Sequence, residues 1–335
     1  MSSAQDQVRL PKGSLIFVTG ATGFLGSATV EELCKRGYKV RAATRDISKT
    51  TLFAEKLNKL YGEGLFEAVA VPDFTIENAY DAHLEGVDGI VHMATDTSFS
   101  PDVNKVVQDS IDGALNIMKA ASKVPSIKSL VMTSSRIAVY AVQYGVDGEY
   151  PLPETFSDYF YDLALNADDA DPSKPVLTYA ASKVKAERAA WKYYNEEKPH
   201  YAFNTILPDG TLGPISNPLP GRYSTASLLT DLFQGDDKGV ITQFFNPPAR
   251  IVDVRDVALL HVAALIAPDV NGERLWAAAH MIQIDEILKV WREEFPHKKD
   301  AVIDTKRSEE LLQRFAGRSW IDARTTYVDN VRHAA

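Results

Sequence analysis

The feature that most constrains this chain is a glycine triplet at its first strand-to-helix junction. The β-type run Leu15–Val18 passes into Thr19-Gly20-Ala21-Thr22-Gly23-Phe24-Leu25-Gly26, and a helical stretch, Phe24 to Arg36, follows. Gly20 permits a tight turn, Gly23 lets the backbone approach a pyrophosphate, and Gly26 lets helix and sheet pack closely. The helix start then offers free N–H groups and a positive dipole end to an anion. Between a strand and a helix, this spacing predicts a dinucleotide site rather than an ordinary turn.

Five more strands are predicted at Lys39–Thr44, Phe66–Val71, Gly89–Met93, Leu130–Thr133 and Phe203–Leu207, with helical stretches between most of them, including Val103–Ala121 and Tyr179–Glu196. Short apolar runs alternating with amphipathic segments indicate an α/β fold, a doubly wound parallel sheet of order 3-2-1-4-5-6. Residues 10–208 are expected to form the cofactor domain. Past Pro208 the alternation weakens among prolines, so 209–330 is expected to be a smaller substrate lobe, part of it returning to the sheet. The long connection Ser135–Thr178 carries Tyr140, Tyr144, Tyr150, Phe156, Tyr159, Phe160 and Tyr161, enough aromatic area for a pocket wall.

Charge narrows the partners. With 36 basic and 45 acidic side chains the net charge is −9, which disfavours nucleic acid and anionic lipid. The single cysteine, Cys34, excludes an internal disulfide and a Cys-rich metal site, and reads as a buried filler. The N-terminus lacks a secretory pattern, and the longest apolar stretch, near Val257–Ala267, is too short to span a bilayer. A cytoplasmic protein without a metal, monomeric or homodimeric, is expected.

The second strand bears on the choice of dinucleotide. It ends Ala43-Thr44-Arg45, with no carboxylate before Asp46. An acid there would bind the ribose hydroxyls of NAD, whereas the Arg45 guanidinium suits a 2′-phosphate, with Arg41 and Lys49 as helpers. NADPH is expected.

Tyr179-Ala180-Ala181-Ser182-Lys183 is expected to open a helix. The spacing of four places phenol and amine on one face, and the ammonium should draw the Tyr179 pKa down, making it a competent acid. Ser135, after the fifth strand, is assigned as the donor to a carbonyl oxygen, with Ser134 as its neighbour near the nicotinamide. His92 and His261 read as packed histidines. Asp168, Asp169 and Asp171 lack the glycine and closing glutamate of a calcium loop and read as a solvated loop. Phe244-Phe245 and Ser224–Ser227 are candidate pocket residues, while Trp191 and Tyr194 should bury against the sheet.

These motifs, with Gly37-Tyr38-Lys39-Val40-Arg41, Thr133-Ser134-Ser135, Ala189-Ala190-Trp191-Lys192 and Lys198-Pro199-His200, resemble the extended short-chain dehydrogenase/reductases over roughly residues 10 to 300. The likeness is to the dihydroflavonol-reductase-like group and to fungal NADPH aldehyde and carbonyl reductases. It implies a Rossmann domain and a Ser135, Tyr179, Lys183 triad, with Lys183 also on the nicotinamide ribose. Cofactor contacts are implied for Thr19, Gly20, Thr22, Gly23, Phe24, Leu25 and Gly26 in the loop. Further on, Arg45, Asp73 and Phe74 (against adenine), Ala94, Ser134 and Pro208 complete the set. The implied reaction is reduction of a small carbonyl compound bearing an apolar or aromatic group. Epimerase, hydroxysteroid dehydrogenase and non-catalytic NADP-sensing roles are the alternatives. Two residues depart from the family pattern: Arg136 follows the catalytic serine, and Asp209-Gly210 follows Pro208.

Overall fold

A computed structural model describes residues 8–139, 155–217, 224–234, 249–282 and 284–294. The chain divides into two compact units, residues 1–287 and 288–335, and every site residue discussed below lies in the first.

Seven parallel strands form the main sheet. They are β1 (Leu15–Thr19), β2 (Lys39–Thr44), β3 (Phe66–Ala70), β4 (Gly89–His92), β5 (Ser129–Thr133), β6 (Ala202–Pro208) and β9 (Arg274–Ala277), in the order β3-β2-β1-β4-β5-β6-β9. The expected six-strand order is present, extended by β9. A second sheet joins β7 (Gly210–Leu212), β8 (Ala249–Asp253) and β10 (His280–Ile282).

The central strands are buried on both faces, which is why they read as continuous apolar runs. Side chains alternate across β1: Ile16 and Val18 meet α1 (Phe24–Lys35) through Val30 and Leu33, and α7 (Val254–Ile266) through Val257 and Leu265. Phe17 faces the other layer, where α3 (Val103–Ser122) supplies Ile117 and Met118, and α5 (Lys174–Glu197) supplies Ala186 and Ala190. The remaining helices are α2 (Thr51–Tyr61), α4 (Tyr159–Asn166), α6 (Ser224–Gln234) and α8 (Ile284–Glu294). Trp191 and Tyr194 stack on Phe203 of β6, with ring centroids 4.6 and 5.4 Å away.

Beyond Pro208 the chain rejoins the first layer. β9 pairs in parallel with β6, and α7 packs on α1. Buried Asn204 explains the return of β9: its Nδ2 donates to the carbonyls of Ala264 and Val270, and its Oδ1 accepts from the Glu273 N–H. The long connection after β5 also closes on itself, since Ser157 N–H donates to the Ala138 carbonyl at 2.9 Å. The aromatic wall expected from that connection is not seen among its described residues. Phe160 enters a core with Val103, Ala180 and Val184, and Arg188 and Arg274 lie over the Phe156 ring. Helical spacing in α4 turns Phe160 and Tyr161 towards α3 and α5. Tyr140, Tyr144, Tyr150 and Phe244-Phe245 lie outside the described residues.

Candidate active site

The carboxyl ends of β1 and β4 flank the point where strand order reverses, the crevice in which doubly wound sheets bind ligands. The glycine loop opens there. Gly20 has φ of +65°, and a Cβ on it would lie 3.0 Å from the Ala94 nitrogen. A Cβ on Gly26 would overlap the Gly20 carbonyl oxygen. Gly23 is the N-cap of α1, with no side-chain cap and no acid in the first turn. An uncapped N-terminus behind backbone that tolerates no Cβ fits a dinucleotide pyrophosphate. Thr22, Phe24 and Leu25 lie in this turn and the start of α1.

Several expected contacts prove to be structural. The Thr19 hydroxyl accepts from the Met93 and Ala94 N–H groups, both at 3.0 Å, and lies 2.8 Å from His92 Nδ1. Thr19 therefore joins the ends of β1 and β4 and positions Ala94, rather than pointing into the crevice. Arg41 is no helper for a 2′-phosphate: its guanidinium pairs with Glu67 at 2.5 Å and donates to the His83 and Glu85 carbonyls. Arg45 and Lys49 are exposed and form no ion pair among the described residues. The carboxylate after Arg45 is already engaged, since Asp46 accepts from both the N–H and the hydroxyl of Ser48.

Asp73 is exposed and closes a turn onto Thr75. Phe74 lies against α3, its ring where a Cβ on Gly113 would be. Asn116, unnoticed in the sequence, holds this turn by donating to the carbonyls of Phe74, Thr75 and Ile76. Pro208 ends β6 in register with Ala277.

The three residues expected to form the catalytic triad gather after β5. Tyr179 does not open α5; the helix begins five residues earlier, at Lys174, with Pro175 in its first turn. The tyrosine is thereby held by a formed turn on each side. The Ser135 hydroxyl accepts from the Ile137 N–H and lies close enough to the phenol to pull its pKa down. Phe99, half-exposed and in the left-handed region at φ of +52°, stacks on the Tyr179 ring at 5.2 Å. Lys183 is buried, and its Nζ donates to the Thr133 carbonyl at 2.8 Å.

The Tyr179 phenol is raised above its ordinary value, against the expectation. Burial pushes it up, while the Ser135 hydrogen bond and the Arg136 charge pull it down. Lys183 is not the source of that pull: its ammonium is turned to the strand carbonyl, and burial lowers its own pKa to about 8, opposed by Glu187. A raised value keeps the phenol protonated at neutrality, the form that a proton donor needs.

Ser134 does not face the crevice either. It is buried and donates to Glu187 at 2.6 Å. Glu187, one helical turn beyond Lys183, is fully buried and also accepts from Thr205, Trp191 and both Nε and Nη2 of Arg274. Arg274 in turn donates to the Thr155 carbonyl. This carboxylate joins α5, β5, β6 and β9 beneath the site.

Both central histidines are neutral and structural. His261 Nδ1 donates to the Val257 carbonyl, so its Nε2 accepts from Thr133. Burial lowers His92 to about 3 and His261 to about 4, against about 6.5 in an unfolded chain. As pH falls through that window, the unfolded chain binds protons that the native state excludes. Stability is therefore complete above about pH 7 and declines in acid. Urea unfolding at pH 5 should give about 4 kcal/mol less stability than at pH 8. Equal stability at the two pH values would contradict this.

Among the acidic loop residues, Asp168 and Asp171 bond within their own turns and Asp169 pairs with Lys174. The described residues contain no cluster able to hold a metal, and no helix among them is long and apolar enough to cross a membrane. In the Ser224–Ser227 run, Ala226 and Ser227 are buried and Thr225 bonds the Thr211 carbonyl.

Comparison with known proteins agrees with this architecture. A family model described as Male sterility protein, of the NAD-binding type, matches residues 18–261. Aldehyde reductase 2 of Sporidiobolus salmonicolor is 36% identical over 293 residues, covering 88% of this chain and 84% of the relative. The NAD-dependent epimerase/dehydratase terH of Aspergillus terreus is 35% identical over 290 residues, 86% of this chain and 84% of its own. A solved reductase, engineered to attenuate substrate inhibition in asymmetric catalysis, superposes with a TM-score of 0.72 at 27% identity, covering 94% of this chain and 97% of its own. The chain belongs to the extended short-chain dehydrogenase/reductases, within the Male sterility NAD-binding family.

Proposed function

We propose that this protein reduces ketones or aldehydes to alcohols with NADPH. The observation that carries the reading is the gathering of Ser135, after β5, with Tyr179 and Lys183, one turn apart on α5, at the same end of the sheet as the glycine loop. Bound NADPH would supply a hydride to the carbonyl carbon. The Tyr179 hydroxyl gives its proton to the carbonyl oxygen. Ser135 donates to that oxygen as charge builds on it, where a preorganised donor counts most. When NADPH is bound, Lys183 would hold a ribose hydroxyl, and the glycine loop with the α1 N-terminus would hold the pyrophosphate. Phe99 offers apolar surface beside the phenol, which favours substrates with an aromatic or alkyl group.

NADPH oxidation over aryl ketones, ketoesters and small aldehydes, with chiral analysis of the alcohols, tests the reading. Turnover of at least one class is expected, and none with any carbonyl would end it. An epimerase reading, prompted by the name of the Aspergillus terreus relative, is disfavoured by Arg45 in place of an acid after β2. Tightly retained cofactor in the purified protein would favour it.

Cofactor preference has its own test. Arg45→Glu removes a charge-assisted partner of the 2′-phosphate and should weaken NADPH by roughly 10- to 100-fold, with little effect on NADH. Fluorescence titration with both nucleotides measures this, and equal losses would refute the assignment.

A further inference from the structure

Arg136 and Asp209, the two positions at which the sequence departs from the family pattern, meet in space. Arg136 Nε lies 2.5 Å from Asp209 Oδ1, with the two side chains only 12% and 3% exposed. Arg136 directly follows Ser135 and begins a 3-10 turn, Arg136–Ala138, that packs between α5 and β6. Asp209 is held on the far side: its Oδ1 accepts from the Gly210 N–H at 2.7 Å, and its own N–H donates to the Ala277 carbonyl at 3.0 Å. A guanidinium is costly to bury, and an immobile carboxylate is what permits it there.

We propose that Arg136 is a positioning residue for proton delivery: a cation clamped by Asp209 directly after Ser135, on a turn packed against the helix that carries Tyr179, which sets how readily the phenol gives up its proton. This rests on Tyr179 being the proton donor. Among the described residues, the other charged or titratable groups on the elements around the phenol are Lys183 on its own helix, with Glu187 one turn behind it, and the neutral histidines His92 and His261 on the strand side. The Arg136 charge acts on Tyr179 in the stabilising direction for the phenolate. By Coulomb's law the paired Asp209 carboxylate should offset part of that field.

The two partners should therefore have opposite effects. Asp209→Asn leaves the cation uncancelled and should lower the Tyr179 pKa by about one unit; Arg136→Gln leaves the anion and should raise it by about as much. The double variant should return close to the parent. Carbon-13 spectra of Cζ-labelled tyrosine follow the titration directly, with Tyr179→Phe identifying the resonance. This readout needs no turnover, so it stands or falls apart from the reductase assay. In reduction, the basic limb of the kcat profile should move with the same signs. Shifts of the same sign in both single variants, or none in either, overturn the proposal. Asparagine at 209 keeps the acceptor for Gly210, so Asp209→Asn decides the matter alone should Arg136→Gln fail to fold.

Discussion

Tyr179→Phe will reduce carbonyl turnover by about a thousandfold while leaving NADPH affinity unchanged. The ring keeps its packing on Phe99 and its place in α5, so only the proton is lost. General acid catalysis by a positioned group is worth about 10² to 10⁴ in rate, and among the described residues no neighbour is placed to replace it. His92 and His261 are buried and neutral, and Lys183 is bonded to the Thr133 carbonyl. Paired measurements of NADPH binding by fluorescence and of kcat with a good carbonyl substrate make the comparison. Turnover within tenfold of the parent would remove Tyr179 from the mechanism.

Glu187→Ala should cost about 3 to 5 kcal/mol of stability, because it leaves the Arg274 guanidinium as an uncompensated buried charge. The Ser134, Thr205 and Trp191 donors lose their acceptor as well. Urea unfolding at pH 8, where the histidines contribute fully, measures the loss. A double variant, Glu187→Leu with Arg274→Leu, should recover much of it, since removing both members of a buried pair is often close to neutral. A loss below about 1 kcal/mol in the single variant would mean that the network relaxes or admits water, and that its anchoring role is slight.

The sheet order was readable from the residues because each central strand is buried on both faces and carries its own apolar run. The glycine loop was readable for a related reason: its demands are local and steric, as Gly20 and Gly26 show. What the residues could not show is where polar side chains turn. Thr19 and Ser134 sit where cofactor contacts belong, yet partners on neighbouring strands and helices engage them first. Arg41 is likewise drawn off by Glu67 on the adjacent strand. Glu187 carried a signal, the spacing of four that links Tyr179, Lys183 and Glu187, but its partner Arg274 lies 87 residues onward. The start of α5 was marked by Asp171-Pro172-Ser173-Lys174-Pro175, a helix-entry pattern ahead of the tyrosine. The upward direction of the Tyr179 shift is set by burial, against the pull of Ser135 and Arg136, and burial is not visible in the Tyr–Lys spacing.

The two described ends of the connection after β5 meet through the Ser157–Ala138 backbone hydrogen bond, and Arg274 holds the second end at Thr155. A stretch tethered in this way can change length cheaply, as doubling a loop adds only about 0.6 kcal/mol of closure entropy. Evolution can thus rewrite the residues between those two ends as a cassette while Ser135, Tyr179 and Lys183 stay untouched. The same two fixed ends mark where an engineer would cut when grafting the stretch from one relative into another.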